Sequence, residues 1–263
     1  MTFHILNCVM SKVYDRGVIF PDIHFPKHDE LALRTALKVI EAVKPTYFLN
    51  LGDIVEGDSV SAWKWKRKKR PPLEYQLPEI IEELKLINEG FDRIDEVLDK
   101  VKCKKRVFAQ GNHEIWFDNF VDEHPYLPEY KSYEALKIKE RGYDWHPYGK
   151  IFKVNDSKLH AYHGGHYMGL NHAKSHVQNL GVNVIYGHTH DNIKSVVTHM
   201  DGPKMAQSMG CLCKMEKSFL KNRQTNWTHN VGIVDFYDDG LYNLIVLNII
   251  DGKTTYNGKV IKG

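Results

Sequence analysis

The sequence predicts an α/β fold. The first half alternates short apolar runs with segments of helical periodicity, and the second half is richer in strand-like runs. The apolar share and the Gly and Pro content of the 263 residues are those of a globular chain long enough to bury a sizeable core. The expected organisation is one domain over 1–263 with a basic insertion at about 56–78.

Residues 17–20 form a short buried-strand run, and Asp22 follows at once. Asp29 and Glu30 stand where a helix would be capped, ahead of Leu33, Ala36, Leu37, Ile40 and Val43 at helical spacing, and Pro45 ends that helix. The next strand is 46–51, with Gly52 and Asp53 just past its end. A longer helix fits 78–100, with Ile80, Leu84, Ile87, Phe91, Ile94 and Leu98 on one stripe. A third strand, 106–109, runs into Gly111-Asn112-His113-Glu114, and helical segments are expected at 113–121 and 131–141. Further strands fit 151–154, 158–162, 182–186, 195–198, 205–208, 231–236 and 241–249, with a helix at 171–180 and a hairpin turn at Asp239-Gly240.

A net charge of +3 is too small for the whole chain to act as a polyanion binder, so any nucleic-acid affinity must come from local patches. Fifteen histidines are the compositional oddity. The four cysteines, Cys8, Cys103, Cys211 and Cys213, suit neither a zinc knuckle nor a disulfide framework. They read as free thiols in a reducing compartment. Residues 1–10 lack a basic segment and a small-residue cleavage site, and no run approaches a membrane span. A cytoplasmic protein with no membrane partner is expected.

Five polar clusters stand in order: Asp22-Ile23-His24, Gly52-Asp53, Gly111-Asn112-His113-Glu114, His163-Gly164 and Gly187-His188-Thr189-His190. Each alone has a bland explanation: a turn, a helix cap or a core histidine. Together they supply two carboxylates, an amide oxygen and four imidazoles, with a further His beside the Asn, and three of them follow consecutive strands. Sites in α/β sheets gather at such strand ends. Mixed oxygen and nitrogen ligation suits Mn, Fe, Zn, Ni or Co.

This order of motifs, over roughly residues 18–190, resembles the calcineurin-like metallophosphoesterase superfamily. The tail, Gly210-Cys211-Leu212-Cys213 and Asn226-Trp227-Thr228-His229, resembles phage and bacterial members. The resemblance implies a four-layer αββα sandwich of two mixed β-sheets flanked by helices, and a phosphoester hydrolase using two divalent transition-metal ions, manganese foremost. It implies that Asp22, His24 and His190 hold the first metal, that Asn112, His163 and His188 hold the second, and that Asp53 bridges both. His113 would be the catalytic imidazole, serving the leaving oxygen without binding metal, and Glu114 would orient it or cap the following helix.

Near the site, 64–70 carries six basic residues in seven. Such a run is either a solvated loop or an arm along a polynucleotide backbone, with Lys66, Arg67, Lys69 and Arg70 as contacts and Trp63 and Trp65 for stacking. His166, His172 and His176 follow His163, the last two on one helix face, as contributors behind the site or as surface residues. Trp227 reads as a packing residue. The expected substrate is a phosphodiester in a nucleotide or nucleic acid. A phosphomonoester of a protein or small metabolite is the alternative, and a metal-bound module without activity the rival from another class.

Overall fold

The computed structural model describes residues 12–66, 69–216 and 224–263. The strands, in chain order, are β1 (Val13–Phe20), β2 (Tyr47–Asn50), β3 (Lys105–Ala109), β4 (Tyr143–His146), β5 (Phe152–Lys153), β6 (Leu159–Tyr162), β7 (Asn183–Tyr186), β8 (Lys194–His199), β9 (Gly202–Ser208), β10 (His229–Tyr237), β11 (Tyr242–Ile249), β12 (Lys253–Tyr256) and β13 (Lys259–Lys262). The helices are α1 (Glu30–Val43), α2 (Ala62–Trp65), α3 (Leu73–Lys100), α4 (Asn112–Glu123), α5 (Ser132–Ala135) and α6 (His172–Leu180).

One sheet has the order β11-β10-β1-β2-β3-β4 and the other β5-β6-β7-β9-β8, while β12 and β13 form a separate hairpin. Both sheets are mixed. β1 to β4 pair in parallel and β10 antiparallel to β1. β6, β7 and β9 are parallel between antiparallel edges.

Strand alternation builds the layers, because successive side chains leave opposite faces of a sheet. Ile19, Leu49 and Val107 point to one side and meet Leu159, Ala161 and Ile185 of the second sheet. Their neighbours Phe20, Phe48 and Phe108 point the other way and meet Ile40 of α1 and Ile87, Phe91 and Ile94 of α3. On the far side, Tyr162, Val184 and Tyr186 pack on Val177 of α6. Helices, sheet, sheet and helix are thus four layers. The near-continuous burial of β2 is what a strand covered on both faces requires.

Several elements differ from the sequence reading. The helix placed at 78–100 begins at Leu73, so Pro78 lies inside it. Anchors hold its first turns: Gln76 Nε2 donates to the Ser59 carbonyl at 2.7 Å, and Glu83 accepts from the Asp58 and Ser59 amides at 2.9 Å each. Segment 131–141 has only the four-residue α5 and turns, and β4, β12 and β13 were not foreseen. β4 reads Tyr-Asp-Trp-His, which has no alternation of apolar and polar residues. Its place is set by pairing with β3. Helix α1 matches its expected position: Asp29 Oδ1 accepts from the Ala32 amide at 2.8 Å, and Lys44 closes it in the left-handed region. Cys103, Cys211 and Cys213 are free. Cys8 and the N-terminal decapeptide lie outside the described residues. Among the described residues, no helix is long and apolar enough to cross a membrane.

Candidate metal centre

The five motifs come from the carboxyl ends of strands in both sheets. Asp22 and His24 follow β1, Asp53 follows β2 and Asn112 opens α4 just after β3. His163 follows β6, and His188 and His190 follow β7. The site therefore lies at the edge where the two sheets face each other.

The predicted residues form two groups. In the first, His190 Nε2 lies 3.1 Å from Asp22 Oδ2 and 3.2 Å from His24 Nε2. In the second, Asn112 Oδ1 lies 3.0 Å from His163 Nε2 and 2.6 Å from His188 Nδ1. Asp53 Oδ2 lies between them, 3.9 Å from His24 Nε2 and 3.3 Å from His163 Nε2. Asp22, His24, Asp53, His163 and His190 are all buried.

Local backbone geometry makes this convergence. His24, Asp53, His188 and His190 all have positive φ, between 48° and 68°. Asp and His enter the left-handed region more readily than branched residues do, but at a cost that surrounding contacts must offset. The motif glycines make room for the carboxylates. A Cβ on Gly187 would stand 2.2 Å from Asp22 Oδ1, and one on Gly111 2.2 Å from Asp53 Oδ1.

The donor chemistry fits a cation. A backbone carbonyl only accepts, so the 2.8 Å contact between His163 Nδ1 and Leu51 O places the proton on Nδ1. In the neutral ring Nε2 is then an acceptor, and it faces two more acceptors, Asn112 Oδ1 and Asp53 Oδ2. Buried acceptors converge in this way only around a proton or a metal ion. Electrostatics agree. Burial opposes charge on His163, but the Asp53 carboxylate outweighs it and pushes the imidazole up to about 9. Burial likewise opposes charge on His190, yet neighbouring Cys213 and Asp22 push it up to about 10. Asp53 is held well below the usual carboxylate range by its imidazole neighbours, against burial. His24, Asp53 and His113 form one cluster able to hold a metal ion, and Asp53, His163 and His188 another.

His113 stands beside these groups. Its Nδ1 donates to the Glu56 carbonyl at 2.6 Å, its Nε2 lies 3.9 Å from Asp53 Oδ2, and its ring meets His24 edge-on with centroids 4.5 Å apart. Burial holds it down to about 4, although Asp53 works the other way. Of the two roles considered for Glu114, the structure shows the cap. Its Oε2 accepts from the Gly111 and Asp53 amides at 2.7 and 2.9 Å, and its Oε1 from the Val55 amide at 3.2 Å. It thereby clamps the Asp53 loop to α4, and burial raises it to about 7.

Around the basic run, Lys66 and Lys69 are exposed and Arg70 is half-buried. Lys66 sits 4.5 Å from the Trp63 ring, Lys64 pairs with Glu79 at 3.0 Å and Arg70 pairs with Glu123. Arg67 lies outside the described residues. Arg70 and Trp116 line a cavity of ≈ 300 Å³. His166 is exposed, whereas His172 and His176 are buried. His172 Nε2 donates to Asp191 at 2.9 Å, and Asp191 also accepts from Thr189 and Ser208 at 2.8 and 2.7 Å, which steadies the loop between His188 and His190.

Four neighbours of the site were not assigned to it from the sequence: Glu56 and Trp116 went unmentioned, Trp227 was read as a packing residue and Cys213 as a free thiol. Glu56 Oε2 lies 3.2 Å from His24 Nδ1, an ion-pair distance without hydrogen-bond geometry. Trp116 packs on His113 with centroids 3.8 Å apart, and Trp227 meets His190 edge-on at 4.4 Å. Cys213 lies against His190. Only Glu56, three residues after Asp53, and Trp116, three after His113, carried a positional hint.

A model of the calcineurin-like phosphoesterase family matches residues 18–199. No curated protein sequence matches the chain. Among solved structures the chain is similar to Vps29 of Chaetomium thermophilum, at 11% identity over 95% of this chain and 97% of that one, with a TM-score of 0.47. It is also similar to YfcE, a phosphoesterase from E. coli, at 14% identity over 88% and 98%, with a TM-score of 0.39. The family match spans all five motifs, from Asp22 to His190, and more than half of the sequence: the chain belongs to the calcineurin-like phosphoesterase family.

Proposed function

We propose that this protein hydrolyses a phosphodiester bond in a nucleotide or nucleic acid with two divalent transition-metal ions, manganese foremost. The observation that carries this is the convergence of carboxylate, amide and imidazole ligand atoms on both sides of Asp53 Oδ2. Asp22, His24 and His190 would hold one ion, Asn112, His163 and His188 the other, and Asp53 would touch both. When bound, such a pair lowers the pKa of water and neutralises phosphoryl oxygens, so an anionic nucleophile can approach an anionic ester.

The chain's own residues supply the rest. The His113 Nδ1–H is committed to the Glu56 carbonyl. Nε2 is thus the nitrogen left to carry a proton to the departing oxygen or to hydrogen-bond to it. Burial disfavours that proton, and the charge of a bound phosphoryl group favours it, so His113 is tuned to be protonated with substrate in place. A module that only bound metal would have no use for this imidazole. Lys66, Arg67, Lys69 and Arg70 we assign to the substrate's backbone.

The pairing of Lys64 with Glu79 and of Arg70 with Glu123 favours a second reading, a small phosphomonoester that needs no extended groove. The manganese-loaded protein assayed side by side on bis-p-nitrophenyl phosphate, p-nitrophenyl phosphate, and single- and double-stranded DNA and RNA decides between them. Faster turnover of the diester and cleavage of a polynucleotide are expected. Turnover of the monoester alone selects the second reading, and no turnover of any substrate rejects the enzyme.

A further inference from the structure

Two imidazoles of the centre, His163 and His113, turn one nitrogen toward Asp53 and have the other bonded to a backbone carbonyl. His163 is tied through Leu51 O, His113 through Glu56 O, and His24 lies against the Glu56 carboxylate. His190 differs. Its Nε2 faces Asp22 and His24, and its Nδ1 lies 3.9 Å from Cys213 Sγ, within the reach of a hydrogen bond to sulfur. Cys213 is fully buried.

The chain carrying Cys213 is stitched to both loops of the first group. The Leu212 amide donates to Asp22 O at 2.7 Å, the Cys211 amide to Thr228 O at 2.9 Å, and the Thr228 amide to His190 O at 2.9 Å. His229 Nε2 donates to Cys213 O at 2.8 Å. The sulfur is therefore placed by a direct backbone contact with the loop that carries Asp22 and, through Thr228, by an indirect one with the loop that carries His190.

We propose that Cys213 is a positioning residue for the first metal: its sulfur accepts the Nδ1–H of His190 and so keeps the Nε2 lone pair aimed between Asp22 and His24. A metal-bound histidine almost always has such an acceptor fixing its tautomer and ring orientation, usually a carboxylate or a carbonyl. Here sulfur takes that place. His24, His190 and Cys213 lie close enough to share one ion, so direct ligation by sulfur is the competing arrangement. Sγ meets Nδ1, whereas Nε2 is the nitrogen that faces Asp22, and this favours the anchor. This inference rests on the dinuclear reading above.

Metal titrations of wild type, Cys213→Ala and Cys213→Asp test it. The Ala variant should bind one of two equivalents about 10–100-fold more weakly with the other unchanged, and Asp, which restores an acceptor, should recover most of the loss. The apo Tm of each variant reports folding separately. Wild type that takes two ions beside an Ala variant with unchanged affinities overturns the role of Cys213 alone. Wild type that takes none overturns the dinuclear reading with it. Two measurements on wild type stand whether or not the Ala variant folds. The zinc-loaded protein should show a slowly exchanging Nδ1 proton on His190 by NMR, and its absence rejects the anchor. The cobalt-loaded protein should lack an intense sulfur-to-metal charge-transfer band, and its presence makes Cys213 a ligand instead.

Discussion

In the proposed metal centre, protons and metal ions would compete for the same nitrogens. His163 and His190 are pushed up to about 9 and about 10, so both are protonated near neutrality in the metal-free protein. A metal ion needs their neutral forms, and binding must release those protons. The sign follows: apparent affinity rises with pH throughout the range below about 9, by about tenfold per unit for each proton displaced. Calorimetry in buffers of different ionisation heat, between about pH 6 and about pH 8, measures both slope and proton count. Affinity that stays flat across that window contradicts the protonated imidazoles.

Two substitutions at this scale separate binding from chemistry. His113→Ala should keep its metal content and lose about 10²–10⁴-fold in kcat, with the smaller loss on activated aryl esters, whose leaving groups need no proton. Metal loss in this variant would make His113 a ligand. Gly187→Ala would place a Cβ 2.2 Å from Asp22 Oδ1. The carboxylate must shift, so the first equivalent of metal should weaken while the second, held from the Asn112 side, is spared. Equal weakening of both equivalents in a titration would show that the loop moves as a unit.

At the scale of elements, the basic run lies in sequence between the Asp53 loop and α3, and of its described residues Arg70 lines a cavity together with Trp116. If it tracks a polynucleotide, binding must weaken with salt, because each neutralised phosphate releases condensed counterions. Neutralising Lys66, Arg67, Lys69 and Arg70 together should flatten that salt slope and raise KM for long DNA or RNA. Turnover of a small aryl phosphodiester should stay near the parent's. A variant that cleaves polynucleotides as well as the parent returns the run to a solvated loop. The exposed pair of Lys64 with Glu79 does not oppose this strongly, since such ion pairs contribute about 0–1 kcal/mol each.

Across the whole molecule, the centre joins loops of both sheets, so a bound ion ties the two halves of the sandwich together. An ion that binds only the folded chain stabilises it by about 2.7 kcal/mol at a hundredfold excess over Kd. Chelation should therefore lower Tm, and Asp53→Asn should lose most of the metal-dependent increment, because Asp53 lies between both groups. A Tm indifferent to chelator in wild type would mean that the loops are held by protein contacts alone.

Much of the architecture was legible before any coordinates. Strand alternation and the stripe on α1 are local patterns, and local pattern determines which face of an element is buried. The motif residues follow strand ends directly, so their placement along one edge required little beyond the strand assignments. Long-range packing settled the remainder. α3 extends past Pro78 because Gln76 and Glu83 bond a loop that precedes the helix. β4 is a strand because β3 offers it an edge. Glu114 spans 61 residues to the Asp53 amide, and Cys213 reaches His190 only after the chain has passed through β8 and β9. Such contacts leave no periodic trace, since periodicity records the side of an element that is buried and not the group that will meet it there.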